Sequence, residues 1–417
     1  MAVRDDQPAL LQHFITALKT GSAPTPAPIA GHLERHARLI GGSPDLSLYL
    51  NTTILMKWLQ QSAGSLMQGA AAFALDPKTL FRALGAHEFE SLALGLDLTP
   101  AQTRLDFTLL HPAAPAGLIS LLRGSATGVS QPPFIPADAA SCQVMRQDLG
   151  QAYSSLLAML GRLGPIALMA TAQLGAVEEQ LGFKLQQDLF GSLGDEIVTL
   201  TEGTAAAPAQ IIALQVRDHP RLTQVLTSLR QFLTQGFGLE FTTSPHRQHR
   251  LHTYQASTPA GPSAGFSYCL TPSHLLLSTG GSAPLLKILD RLDQPGGPSI
   301  WDAPGTQQLL AALPGSPAAL GIADASRQLL LILDAFSAAQ GQVAGKKKGL
   351  RTKGRPPGIP TQDAPLTQPG AEAPALMLDP QARPSLETLR KYLGTEVSGT
   401  YHHPDAIHLR TLSRPAP

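Results

Sequence analysis

The stretch Ser43-Pro44-Asp45-Leu46-Ser47-Leu48-Tyr49-Leu50 predicts a β-strand that begins just after a proline, because leucine occupies every second position. Two later stretches begin similarly, at Ile135-Pro136-Ala137-Asp138 and at Ser316-Pro317. After each predicted strand come a helical segment, a Leu-Gly pair and a glutamate that opens a hairpin. The Leu-Gly pairs are Leu84-Gly85, Leu193-Gly194 and Leu393-Gly394. The glutamates are Glu88, Glu196 and Glu396. A pattern that recurs three times indicates three related units. We therefore predict an α+β fold of three units, each a small antiparallel sheet with helices packed on one face.

The repeats divide the 417 residues into an appendage and three units. Residues 1–42 are predicted to form an N-terminal helical appendage and a linker rich in proline and alanine. The units follow at 43–130, 131–313 and 314–417, and unit 2 carries an elaboration of further helices and strands at 221–292. Unit 3 is interrupted at about 341–383 by a segment rich in Gly, Pro, Lys and Gln, which lacks apolar periodicity and is predicted to be disordered.

The hairpin of unit 1 shows the clearest alternation in the chain. Leu105, Phe107 and Leu109 alternate with Arg104, Asp106 and Thr108. Such a strand is expected to bury its apolar face and to expose its polar face to water.

Composition excludes several classes of partner. Thirty-one Lys and Arg balance thirty Asp and Glu, so no overall field favours nucleic acid or an anionic membrane. The basic tract at 346–355 has no aromatic residues for base stacking and is interpreted as a solvated loop, so no specific nucleic-acid partner is predicted. The most apolar stretch, 156–174, is broken by Gly161, Arg162 and Gly164-Pro165, so no transmembrane segment is expected. The first apolar run, at 10–15, is too short and too polar for the core of an export signal.

The two cysteines, Cys142 and Cys269, both lie in predicted strands. We expect buried, unpaired thiols, since a disulfide is open to them only if the two strands are neighbours.

Two groups of histidines have spacings that invite a metal site. His246, His249 and His252 recur every third residue, but in one extended strand His249 would lie on the opposite face from the other two, which favours a basic edge. His402, His403 and His408 lie on the last hairpin without cysteine or carboxylate companions at ligand spacing. No metal-binding residue is predicted.

Candidate catalytic motifs lack the context that their chemistry requires. The three glutamates share a helix-to-strand junction, which indicates a structural role such as accepting backbone N–H bonds. The string Gly261-Pro262-Ser263-Ala264-Gly265 matches a nucleophile elbow but lacks a strand before the serine and a helix after it. The turn at 279–282 has no phosphate-binding lysine, and Ser282 is expected to cap the helix that follows. We predict no catalytic residue and no cofactor-binding residue.

Several turn and core residues carry a family resemblance; they are Pro136-Ala137-Asp138, Gln147-Asp148-Leu149, Leu193-Gly194-Asp195-Glu196, Pro384-Ser385-Leu386 and Tyr392-Leu393-Gly394. With them, residues 43–417 resemble an uncharacterised family of bacterial proteins that are predicted to be exported, a domain of unknown function. The resemblance implies an extracytoplasmic location. It brings no catalytic residues.

These observations favour a non-catalytic binding or scaffolding protein of the bacterial cell envelope, acting through sheet edges or grooves between units on an unknown protein or apolar ligand. One alternative is a hydrolase of unrecognised type that uses His or Glu near the elaboration of unit 2. Another is a carrier of an apolar ligand. A deep pocket in which His252 meets carboxylates would favour the enzyme, whereas shallow apolar grooves would favour binding.

Overall fold

The structure is a computed structural model that describes residues 27–52, 79, 82–124, 127–204, 207–255, 257–258, 261–262, 265–279, 281–331, 333 and 384–414. Three predicted features fall wholly or mostly outside the described residues: the first helix of the appendage, the first helix of unit 1 and the insertion at 341–383.

The strands, in chain order, are β1 (Leu46–Asn51), β2 (Ser91–Leu98), β3 (Thr103–Leu110), β4 (Ser141–Arg146), β5 (Leu193–Thr204), β6 (Ala207–Val216), β7 (Phe241–His246), β8 (His249–Tyr254), β9 (Ser257–Thr258), β10 (Gly261–Pro262), β11 (Phe266–Leu270), β12 (His274–Thr279), β13 (Ala319–Asp324), β14 (Thr395–His403) and β15 (Ala406–Ser413). The helices are α1 (Ala27–Ile40), α2 (Gly117–Leu122), α3 (Leu149–Gly161), α4 (Pro165–Leu181), α5 (His219–Phe237), α6 (Ala283–Asp293), α7 (Pro304–Ala312) and α8 (Leu386–Arg390).

Thirteen of these strands form one antiparallel sheet in the order β1-β2-β3-β15-β14-β13-β4-β5-β6-β12-β11-β8-β7. The fold therefore mixes helix and strand as expected, but the prediction of three small separate sheets is wrong. Strand β3 pairs with β15 and strand β13 pairs with β4, so the edge strands of neighbouring units are hydrogen-bonded to each other. Joining the edges satisfies backbone groups that separate sheets would leave unpaired.

Each predicted unit contributes three neighbouring strands with the same connectivity. The trios are β1-β2-β3, β4-β5-β6 and β13-β14-β15, and in each the first strand pairs antiparallel with the first strand of the hairpin. The elements of the unit 2 elaboration also form close to their predicted positions. The sequence pattern predicts a helix at 221–233, a strand at 251–255, paired strands at 265–270 and 274–278, and a helix at 284–292, and these correspond to α5, β8, the β11–β12 hairpin and α6.

Helices cover both faces of the sheet, which corrects the prediction of helices on one face. The alternating residues of β12 separate the two cores, since Leu276 belongs to the large core cluster and Leu275 to a smaller one. Ile288 of α6 packs in the large cluster, while Leu222 of α5 packs in the smaller one. The cores therefore lie on opposite sides of β12 and its neighbours.

The three Leu-Gly pairs do not have the same structure. Gly85 adopts a left-handed conformation with φ 69° at the end of a helical turn, as predicted for a stop. Leu193 and Gly194 instead are the first residues of β5, and a turn of π-helix (Leu185–Leu189) and a 3-10 turn (Phe190–Ser192) stand where a longer helix was expected. The side chain of Gln215 fills the space beside Gly194, so the glycine serves a close approach there.

Cys142 and Cys269 are buried free thiols, as expected. They lie on β4 and β11, which β5, β6 and β12 separate in the sheet. None of the described helices combines the length and the apolar character needed to span a bilayer.

Candidate functional site

A cavity of about 750 Å³ lies between α5, the β7–β8 hairpin and β11; we call it the α5 pocket. Helix α5 begins where Asp218 accepts a hydrogen bond from the backbone N–H of Arg221, and it ends before Gly238, whose φ is 65°. Thr223, Thr227 and Arg230 line the cavity. Their spacing of three and four residues places them on one face of the helix.

The opposite wall comes from the β7–β8 hairpin, a segment that was expected to be one extended strand. A two-residue turn, Arg247-Gln248, joins the strands, and Arg247 adopts φ 51° although it is not a glycine. His246 and His249 are directly paired across this turn, so they lie on the same side of the hairpin rather than on opposite faces.

Both of these histidines contact aspartates of α6. His246 Nε2 lies 2.9 Å from Asp290 Oδ1, and His249 Nε2 lies 2.8 Å from Asp293 Oδ1. The hydrogen bond from His249 lowers the pKa of Asp293. The pairs fasten the hairpin to α6 and so hold one wall of the α5 pocket in place.

His252 lies inside the α5 pocket and contacts Arg230, Thr243 and Tyr268. Its ring stacks on Tyr268 with 4.7 Å between the centroids, and Arg230 Nη1 and Thr243 Oγ1 lie 2.9 and 3.0 Å from its Nδ1. Arg230 Nη1 also lies 3.4 Å from Nε2, and a guanidinium can only donate hydrogen bonds, so the imidazole is the acceptor in this contact. Burial, together with the charges of Arg230 and Arg250, lowers the pKa of His252, so the imidazole is neutral at neutral pH.

The charge of the α5 pocket is one-sided. Arg230, Arg250 and three histidines line it, and none of the described residues that line it is an aspartate or glutamate. Within the part of the chain that the structure describes, no ion pair joins Arg230 or Arg250 to a carboxylate. Leu226 and Leu270 supply apolar surface to the same cavity. The α5 pocket is therefore basic and partly apolar.

Of the histidines of the last hairpin, His408 belongs to a different, buried polar network. His408 Nε2 and Arg410 Nε each lie 2.7 Å from Asp106 Oδ1, and Arg104 Nε lies 3.2 Å from Asp106 Oδ2. His402 Nδ1 lies 3.3 Å from the carbonyl oxygen of Gly124. Among the described residues, no group of three or more His, Cys, Asp or Glu side chains is arranged to hold a metal ion.

This network lies on the face of the unit 1 hairpin that was expected to be wet. Asp106 and Thr108 are completely buried, whereas Leu105 and Phe107 on the other face are only half-buried. The reason is that α1 packs against β2 and β3 and places His36 against the polar side chains. The run of histidines and arginines in α1 was the sequence signal for this contact, although α1 lies in the segment that was predicted to be an appendage.

The three recurring glutamates have different surroundings. Glu88 accepts a hydrogen bond from the backbone N–H of Ala116, which is the structural role expected, while Glu196 accepts one from the hydroxyl of Ser130 at 2.8 Å. Glu396 lies in a groove lined by serine, threonine and glutamine side chains, where burial raises its pKa. The groups are spread over distant parts of the sheet and form no common site.

The two remaining motifs lie only partly within the described residues. Gly261–Pro262 forms a short ladder with Ser257–Thr258, and strand β11 follows, while Ser263 lies outside the described residues. Ser282 stands at the N-cap of α6 as predicted, but its side chain makes no capping hydrogen bond.

Comparison with known proteins gives no match to a family model, to a curated protein or to a solved structure.

Proposed function

We propose that this chain is a non-catalytic binding protein and that the α5 pocket holds its ligand. The observation that carries the proposal is the partner of His252, which is Arg230 rather than a carboxylate. The cavity of about 750 Å³ is within the range typical of sites for small ligands. The family resemblance supports placing this activity in the bacterial cell envelope.

The hydrolase alternative draws on one contact, the hydroxyl of Thr243 at 3.0 Å from His252 Nδ1. A base that activates a hydroxyl needs an orienting group, commonly a carboxylate, that stabilises the imidazolium as it forms. Arg230 does the opposite, because its positive charge and its hydrogen bond to Nδ1 oppose protonation of the ring. The arrangement therefore favours binding over acid-base catalysis.

The alternative of a carrier for a purely apolar ligand fits only half of the α5 pocket. Leu226 and Leu270 would contact such a ligand. The guanidiniums of Arg230 and Arg250 would lose water without gaining a partner, which costs free energy.

We also propose that the three strand trios are related units of one repeat, with boundaries at 43–130, 131–313 and 314–417. Their common connectivity supports this proposal. The edges through which the units join, β3 with β15 and β13 with β4, would then be interfaces between repeats.

The proposed site is tested by filling it. Thr227 is exposed and lines the α5 pocket, whereas Gln224 on the same helix is exposed and does not line it. Saturation-transfer NMR with 2-naphthylmethanol and 2-naphthoate should detect binding to the wild type and to Gln224→Trp, and a loss of binding in Thr227→Trp. Circular dichroism of both variants checks that they fold.

Three results would contradict the proposal. The first is that neither probe binds the wild type, and the second is that binding persists in Thr227→Trp. Hydrolysis of 2-naphthyl acetate that survives purification and is abolished by His252→Gln would instead identify the site as that of an enzyme.

A further inference from the structure

Arg230 is a charged hydrogen-bond donor in the α5 pocket, and its Nη1 lies 2.9 Å from Nδ1 and 3.4 Å from Nε2 of His252. A guanidinium has five N–H groups, so its contacts with His252 and with the Tyr268 hydroxyl leave donors for a bound group. Unused donors on a cation call for a ligand that carries hydrogen-bond acceptors.

The guanidinium is also held in place before any ligand binds. His252 stacks on Tyr268, and Tyr268 belongs to the smaller core cluster together with Leu222 of α5. Arg230 therefore lies between its own helix and a ring that the core fixes. Holding a binding group in position in advance reduces the entropy that binding must overcome.

The positive charge of the α5 pocket favours an anionic ligand over a neutral one. Arg230 and Arg250 line the cavity, and no carboxylate among the described lining residues balances them. The planar fork of an arginine matches the oxygens of a carboxylate or phosphate, and such charge-assisted bonds are stronger than neutral ones.

The apolar residues of the pocket wall indicate that the ligand also has an apolar part. Leu226 and Leu270 provide apolar contacts beside the donors, and the cavity of about 750 Å³ exceeds what a lone inorganic anion fills. Together these features describe an amphiphilic ligand with one charged end.

We infer that the α5 pocket binds an organic anion, a small apolar body that carries one carboxylate or phosphate group, with Arg230 as the anion-binding residue. The inference rests on the proposed binding function and adds the chemical class of the ligand. Arg250, which is exposed at the rim, contributes long-range attraction.

Three probes that share a naphthalene body test the inference: 2-naphthoate, 2-naphthyl phosphate and the neutral 2-naphthylmethanol. Dissociation constants from NMR titration in low salt should be about tenfold or more lower for at least one anion than for the alcohol, as expected for a hydrogen bond to a charged group. Tighter binding of either anion supports the inference and identifies the group.

Matched arginine variants test which side chain binds the anion. Arg230→Gln should weaken anion binding about tenfold and leave binding of the alcohol within about twofold. Arg221→Gln is the control, because Arg221 lies on the same helix, pairs with Asp188 and does not line the cavity. Arg250→Gln, at an exposed position, should weaken anion binding about two- to threefold and lose that effect in high salt.

The outcomes separate this inference from the proposed function. If all three probes bind the wild type equally and Thr227→Trp abolishes binding, the binding function stands and the anion inference is wrong. If the anions bind more tightly but Arg230→Gln leaves their affinity unchanged, the assignment of Arg230 is wrong. If no probe binds, both proposals fail.

Discussion

A fall in pH should weaken this fold through His36, which joins α1 to the sheet. His36 is 2% exposed, and its Nδ1 and Nε2 lie 2.6 Å from Thr108 Oγ1 and 2.9 Å from Ser91 Oγ. Burial, together with the charges of His32 and Arg35, lowers the pKa of His36 to about 4. Its two partners are hydroxyl groups, so no carboxylate stabilises the charged ring.

The direction and size of the effect follow from proton linkage. An unfolded histidine has a pKa of 6.5, so below that pH the unfolded chain binds a proton that the folded chain resists until about pH 4. Stability is therefore fully present above pH 6.5 and falls as the pH drops toward 4. At 1.36 kcal/mol for each pH unit between these values, the free energy of unfolding should decrease by about 3 kcal/mol.

Urea unfolding followed by circular dichroism, in steps from about pH 7 to about pH 4, measures this loss. His36→Gln keeps donor and acceptor atoms but cannot titrate, so its free energy of unfolding should change less with pH than that of the wild type, by about 3 kcal/mol at the acid end. His87→Gln is the control, since His87 is exposed and its variant should follow the wild type. Parallel curves for His36→Gln and the wild type would refute the reasoning.

Three further predictions concern stability and thiol reactivity. Asp106→Asn should cost about 3–5 kcal/mol in urea unfolding, because the cations around this fully buried carboxylate would lose their partner. Asp405→Asn, at a half-exposed carboxylate that pairs with an arginine of α1, should cost at most about 1 kcal/mol, and equal losses in the two variants would contradict this. Gly117→Ala should lower the melting temperature, because φ is 63° and the new Cβ would clash with a backbone carbonyl of the facing turn; an unchanged melting temperature counts against it. Cys142 and Cys269 are buried, and burial raises the pKa of both thiols, so neither should react with an aromatic disulfide reagent until urea is added.

The hydrophobic pattern was sufficient for the elements that depend on neighbours in the chain. The β11–β12 hairpin and helices α5 and α6 form close to their predicted positions. Alternation, helix spacing and proline at helix starts act over a few residues, so they can be recognised without the rest of the molecule. The same holds for the burial of Cys142 and Cys269, which both lie in predicted strands.

The tertiary structure decided which polar groups became buried. Asp106 and Thr108 alternate with apolar residues as solvent-facing positions do, yet both are buried because α1 packs on their side of the sheet. No pattern within β3 distinguishes a face that meets water from one that meets a helix with matching donors. The buried Asp106 carboxylate meets His408 and Arg410 of β15 as well as the nearby Arg104, so this network joins segments that are far apart in the chain.

By itself, the sequence determined most of the strands, the hairpins β2–β3, β5–β6, β11–β12 and β14–β15, and the absence of a familiar catalytic motif, because these depend on residue type and local spacing. The tertiary structure alone decided that the strands form one sheet and that Arg230, His252 and Tyr268 meet in the α5 pocket. Edge pairing such as β3 with β15 uses backbone groups that every residue carries, so residue type does not specify the partner. The pocket likewise depends on where the turn at Arg247-Gln248 folds the hairpin against α5, which the spacing of the histidines did not show.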